Sequence, residues 1–152
     1  MPLVSLEQLP PKGALLGLDP GAKTIGVASC DPSRLIASGI ETIPRGRKLA
    51  PALDRLFQLY DQRQCVGFVL GLPINMDGTD GPRAQAARAM AQNILGRRDA
   101  PLALWDERLS TAGAERALIE ADASRARRAE LIDKLAAAWI LQGAIDRLNH
   151  LA

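Results

Sequence analysis

Histidine is nearly missing from the 152-residue chain: His150, close to the C-terminal end, is the only one. A Ser-His-Asp triad, a Cys-His pair and a His-rich metal site each lose their key member. Cysteine is as scarce. Cys30 and Cys65 stand far apart, each beside an apolar run. That spacing makes neither a zinc cluster nor a redox pair, and reads as two small buried residues of a reducing, cytoplasmic protein. Only five residues are aromatic (Phe57, Tyr60, Phe68, Trp105, Trp139), too few for a surface that stacks bases. No apolar run approaches the ~18 residues of a membrane span. Met1 to Lys12 lacks a basic segment followed by an apolar core, so neither a signal peptide nor a membrane partner is expected. Glycine-rich nucleotide loops are absent too. One domain also falls short of the two that an actin-like ATPase folds around its nucleotide.

What remains is a soluble globular composition, 47% apolar and 24% charged. The length suits one domain over residues 1–152, with 1–13 as an N-terminal arm. The net charge is only +2, yet 15 Arg stand against 4 Lys. The guanidinium fork fits phosphate bidentately, so the bias leans toward a phosphate partner, although a GC-rich genome produces the same bias.

Three strands are expected first: Ala14 to Asp19, Thr24 to Cys30, and Leu35 to Ile43 with Gly39 inside it. Short turns between them favour an antiparallel meander. Leu49, Leu53, Leu56, Phe57 and Tyr60 then recur at helical spacing. Val66 to Leu70 is a continuous apolar run, the signature of a strand buried on both faces. A Gly-rich loop over Gly71 to Gly81 leads to Pro82, placed as the first residue of a helix to Leu95. Leu102 to Trp105 reads as a short strand, Ser110 to Ala121 as a capped helix, Asp122 to Arg128 as a polar break, and Ala129 to Leu148 as a final helix. The fold class is α/β: a mixed five-stranded sheet, three antiparallel strands then two parallel, flanked by helices.

Three carboxylate positions stand out. Asp19 ends the first strand before the Pro20-Gly21 turn. Strand ends in such sheets are where sites form, although Asp-Pro-Gly is also good turn chemistry. Asp106-Glu107 follows the apolar strand at Trp105. Neighbours in an extended segment point opposite ways, so one of the two faces the site, and spacing alone does not say which. Asp133 shares a helical stripe with Ala137, Ile140 and Ala144, where an unpaired charge is costly. Three carboxylates in one pocket repel unless cations relieve them. Mg²⁺ and Mn²⁺ prefer oxygen ligands, and two such ions about 4 Å apart hydrolyse phosphodiesters without a histidine. Arg45-Gly46-Arg47-Lys48 and Arg125-Ala126-Arg127-Arg128 are basic patches suited to a polyanion. Contacts of that kind position a substrate without reading its sequence.

Four segments, GLDPGAKTIGVA (17–28), GLPINMDGTDGPRAQ (71–85), DERLSTAGAE (106–115) and IDKLAAAWILQ (132–142), resemble the YqgF family in order and content. Its members are bacterial RNase H-like proteins, described as Holliday-junction resolvases and as nucleases that mature the 5′ end of pre-16S rRNA. The resemblance implies an RNase H-like fold. It places the catalytic and metal-holding carboxylates on Asp19, Glu107 and Asp133, which decides between Asp106 and Glu107. It implies nucleic-acid contacts at Lys23, Asn75, Arg83 and Arg108, with Arg125, Arg127 and Arg128 in the family's basic stretch. A fourth acidic ligand is not evident, with Asp31 and Asp106 as candidates. The expected function is a Mg²⁺- or Mn²⁺-dependent endonuclease, cutting structured RNA during 5′-end maturation of pre-16S rRNA, with a pre-ribosomal particle as partner. The alternatives are a resolvase of branched DNA and a non-catalytic ribosome-assembly factor, each as monomer or homodimer.

Overall fold

Ala14 to Asp19 is buried at every position, which requires a strand covered on both faces. In the computed structural model it lies at the centre of the sheet. The structure describes residues 3–75, 77–109 and 125–151, and for 125–134 the backbone alone. β1 (Ala14–Pro20), β2 (Thr24–Cys30) and β3 (Ala37–Pro44) form the meander. There follow α1 (Ala50–Gln62), β4 (Cys65–Leu72), α2 (Pro82–Arg97), β5 (Leu102–Asp106), a 3₁₀ turn (Glu107–Leu109) and α3 (Arg125–Leu151). The sheet order is β3-β2-β1-β4-β5. β1–β2 and β2–β3 pair antiparallel, β1–β4 and β4–β5 parallel. The mixed five-stranded sheet is therefore as expected.

Several boundaries differ for physical reasons. β3 starts at Ala37, not Leu35, because Asp31 Oδ1 accepts the backbone N–H groups of Leu35 and Ile36 and holds them in a loop. A bulge follows: Val27 faces Glu41 while Ala28 faces Gly39. Gly71 and Leu72 belong to β4 rather than to the loop after it. Arg125 to Arg128 lie in α3, not in a polar break, since neither Pro nor Gly interrupts residues 122–142. The N-terminal arm is packed, with Leu6 and Leu9 buried and Val4 donating its N–H to the Leu102 carbonyl at 3.0 Å. Cys30 is buried, while Cys65 is half-buried. The expected helix over 110–121 lies outside the described residues. Among them no helix is long and apolar enough to cross a membrane.

Period-two alternation sends each strand's side chains to two cores. Leu16, Leu18, Phe68, Leu70 and Leu102 pack under α1 and α2. Phe68 stacks on Tyr60, ring centroids 4.4 Å apart, with Phe57 edge-on to both. Leu15, Val69, Ala103 and Trp105 pack under α3 through Ala137, Ile140 and Leu141. α3 sits close because two strand positions carry no side chain there. A Cβ on Gly17 would lie 2.6 Å from Leu141 Cβ, and one on Gly71 2.5 Å from Ile140 Cδ1.

Candidate active site

β1, β4 and β5 run parallel and end at one edge. Asp19, near the end of β1, is only 4% exposed. Leu15 and Gly17 face α3, so by alternation Asp19 does too. The pairings Leu18–Leu70 and Leu70–Leu104 bring Asp19 level with Gly71 and Trp105. Two strand spacings put about 10 Å between the Asp19 and Trp105 backbones. Gly71 stands between them with no side chain. Glu107 follows Trp105 by two residues, and its buried Oε2 lies 3.3 Å from where a Gly71 Cβ would be. The Glu107 carboxylate thus reaches over β4, toward the strand that carries Asp19. Leu104 packs with the α1/α2 core, so Asp106, in step with it, starts from the other face.

α3 supplies the third element. Ala137 and Leu141 cross β1 at Gly17. Farther along, the Gln142 side chain accepts the Ala37 N–H at 2.8 Å and donates to the Leu35 carbonyl at 3.1 Å, and Asn149 Nδ2 donates to the Arg34 carbonyl at 2.8 Å. The helix therefore runs away from the edge that holds Asp19, and its N-terminal part lies at that edge. Position 133 precedes Ala137 by one turn, about 6 Å of helix. Asp19 lies beyond Gly17 by about the same distance of strand. The Asp133 side chain is outside the described residues, as are those of Arg125, Arg127 and Arg128.

The donors gathered here are carboxylate oxygens, the chemistry that suits Mg²⁺ or Mn²⁺ rather than zinc. Among the described residues no three His, Cys, Asp or Glu side chains cluster as for a metal. Asp19 and Glu107 are two oxygen donors, and a third would come from position 133. Of the fourth-ligand candidates, Asp31 follows β2 beside Ala14, at the opposite edge of the sheet. Asp106 is engaged by Arg108, whose guanidinium holds the Asp106 carboxyl below the ordinary value of 3.8.

The other candidates ring this edge. Lys23 is exposed on the β1–β2 turn, and its carbonyl accepts the Arg45 N–H at 2.8 Å. Arg45 also donates Nη1 to the Gly21 carbonyl at 2.6 Å, so the first basic patch is partly built into that turn. Asn75 and Arg83 line one cavity of about 470 Å³ with Pro73, Ile74, Gly81 and Pro82. Asn75 Nδ2 donates to Thr79 Oγ1 at 3.1 Å, and Gly78 closes the loop at φ 89° with its N–H on the Asn75 carbonyl. Gly17 and Gly71 open two of the quoted motifs, yet their part, making room for α3 and Glu107, shows only in the structure. Their signal in the sequence is a glycine inside an otherwise apolar strand.

A mixed sheet with a buried aspartate near the end of its central strand, a glutamate just past the edge strand and a long helix across one face is an RNase H-like fold of the RuvC type. RuvC from T. thermophilus in complex with a Holliday junction substrate superposes with a TM-score of 0.56, at 13% identity over 92% of this chain and 98% of that one. A second Thermus thermophilus RuvC structure gives 0.54, at 14% identity over 90% and 96%. At such identity the likeness is one of fold. The chain belongs to the RuvX family, described as Holliday junction resolvase, which matches residues 13–147. A protein of Bradyrhizobium sp. (strain ORS 278) is 58% identical over 99% of this chain and 94% of its own length. One from Rhodopseudomonas palustris (strain BisB18) is 57% identical over 99% and 93%. Both carry the name "Putative pre-16S rRNA nuclease". The protein is thus an enzyme of the nuclease class.

Proposed function

We propose that the chain is a divalent-metal-dependent endonuclease that trims the 5′ end of pre-16S rRNA on a pre-ribosomal particle in the cytoplasm. The observation that carries the reading is the reach of Glu107 over Gly71 toward the strand of buried Asp19. The names of the relatives, matched over 94% and 93% of their own length, support the RNA substrate. Asp19, Glu107 and Asp133 would hold Mg²⁺ or Mn²⁺, two ions in all. When bound, such ions activate a water for attack on phosphorus and stabilise the departing oxygen. The chain's own part is to keep oxygen ligands fixed and partly shielded from water at the strand ends. Lys23, Asn75 and Arg83 would seat the phosphate backbone around that edge, and Arg125, Arg127 and Arg128 would extend the track along α3. Such contacts give affinity with little sequence preference.

The family description favours a second reading, cleavage of a four-way DNA junction. A junction has two-fold symmetry, so that reading calls for a homodimer, whereas RNA trimming does not require one. One assay tests both. Wild type and the Asp19→Asn, Glu107→Gln and Asp133→Asn variants are incubated with a pre-rRNA 5′ fragment and with a junction, in Mg²⁺, Mn²⁺ or EDTA. Cutting of the RNA by wild type, lost in EDTA and reduced at least 100-fold in each variant, is expected. Cutting of the junction alone would replace the RNA reading, and undiminished cutting by any variant would remove that residue from the site.

A further inference from the structure

The 3₁₀ turn at Glu107 is bracketed by an ion pair that spans it. Asp106 Oδ1 accepts the Arg108 backbone N–H at 2.9 Å. The Arg108 guanidinium returns to the same carboxylate, Nε at 3.1 Å from each oxygen and Nη2 at 2.8 Å from Oδ2. One carboxylate thus takes the backbone and side chain of the residue two positions on. This closes a ring with Glu107 at its apex. Asp106 is also the last residue of β5 and pairs with Leu72 of β4, so the ring is anchored to the sheet. Asp77, in the loop between β4 and α2, is a second acid near Arg108, and Arg108 Nη1 lies 3.7 Å from where a Gly78 Cβ would be.

A phosphate contact needs a cation free to turn toward its ligand. Arg108 is instead held by a bidentate carboxylate with a second acid near it, so a phosphate would have to compete with bonds already made. We infer that Arg108 and Asp106 act together as positioning residues that fix the backbone of Glu107 and aim its carboxylate over Gly71, and that Arg108 is not a nucleic-acid contact. The inference rests on Glu107 serving the site as proposed above. Opening the ring frees the turn, and the carboxylate then spends only a fraction of its time aimed, which lowers metal affinity and turnover while substrate binding persists. Lysine keeps the charge of Arg108 but has no fork to close the ring.

The experiment uses the full chain and four variants: Arg108→Ala, Arg108→Lys, Asp106→Asn and Glu107→Gln. Mn²⁺ affinity is read by electron paramagnetic resonance, RNA binding in EDTA as a function of salt, and kcat and KM where cutting occurs. For Arg108→Ala, Mn²⁺ affinity and kcat are expected to fall about tenfold. Its KM, RNA affinity and salt slope should stay at wild-type values, with Asp106→Asn following it in part and Arg108→Lys recovering less than half the loss. The opposite pattern for Arg108→Ala overturns the inference: RNA affinity down, a salt slope shallower by about one, and Mn²⁺ affinity intact. If Glu107→Gln keeps wild-type Mn²⁺ affinity and cutting, the assignment of Glu107 itself fails, a result separable from failure of the ring.

Discussion

Gly71 shows how much a missing side chain can decide. It is the gap through which Glu107 reaches toward the Asp19 strand and the seat on which Ile140 rests. An alanine there would meet Ile140 Cδ1 at 2.5 Å and Glu107 Oε2 at 3.3 Å. Gly71→Ala is therefore expected to destabilise the fold by about 1–3 kcal/mol through overpacking, measurable as a lowered urea midpoint. Adding Ile140→Val removes the Cδ1 atom and should restore part of that stability, since the Cγ1 contact at 3.2 Å remains. Turnover should stay depressed in the double variant, because the Glu107 contact remains. Full recovery of turnover would show that Gly71 serves packing alone. Asp19 was legible in the sequence for a related reason: a carboxylate ending an apolar run is an anomaly. Glu107 was not legible from spacing, since alternation allows one of Asp106 and Glu107 without choosing. The choice depends on which face of β5 meets α3, a tertiary fact.

Elements, in turn, were legible where burial was complete. β1 and β4 announce themselves as unbroken apolar runs, and α2 by Pro82 at its first turn. The ends were missed where a side chain competes with the ladder, as Asp31 does at Leu35 and Ile36. The start of α3 is hidden in the sequence because a polar run without apolar periodicity resembles a break, although Arg and Glu are good helix formers. Edge strand β3 is tied to α1 by a bidentate pair, Arg55 Nε and Nη2 to the two oxygens of Glu41 at 2.7 and 2.6 Å. Hydrogen bonding from Arg55 holds the Glu41 carboxyl below its ordinary value of 4.5. A depressed carboxylate stabilises the fold at neutral pH, and that contribution is lost as the pH falls below 4.5 through the lowered value. The pair is partly exposed, so screening keeps the effect small. Glu41→Gln should narrow its stability gap to wild type between pH 7 and pH 3 in thermal melts. A constant gap would mean the pair contributes through packing alone.

The whole molecule gathers its candidate site at one edge of the sheet and anchors α3 at the other. The net charge of +2 gives little long-range attraction for a polyanion, so on the proposed function affinity would come from local groups, with Arg125, Arg127 and Arg128 at the start of α3 proposed among them. Reversing all three to Glu is expected to weaken RNA binding at least tenfold and to flatten its salt dependence, with kcat at saturating RNA nearly unchanged. An unaltered salt slope would take the patch out of the substrate track. α3 connects the two ends of this arrangement. Clamped by Gln142 and Asn149 to the loop after β2 and wedged against Gly17 and Gly71, it behaves as a beam fixed at one support and resting on a fulcrum. From Asn149 to position 133 the beam is about 24 Å long. A tilt at the clamp is thereby passed, about the contacts with Gly17 and Gly71, to the strand-end edge. Substitutions at Gln142, though far from Asp19 and Glu107, would on the proposed function be felt at position 133, in the way a loose hinge is noticed at the free edge of a door.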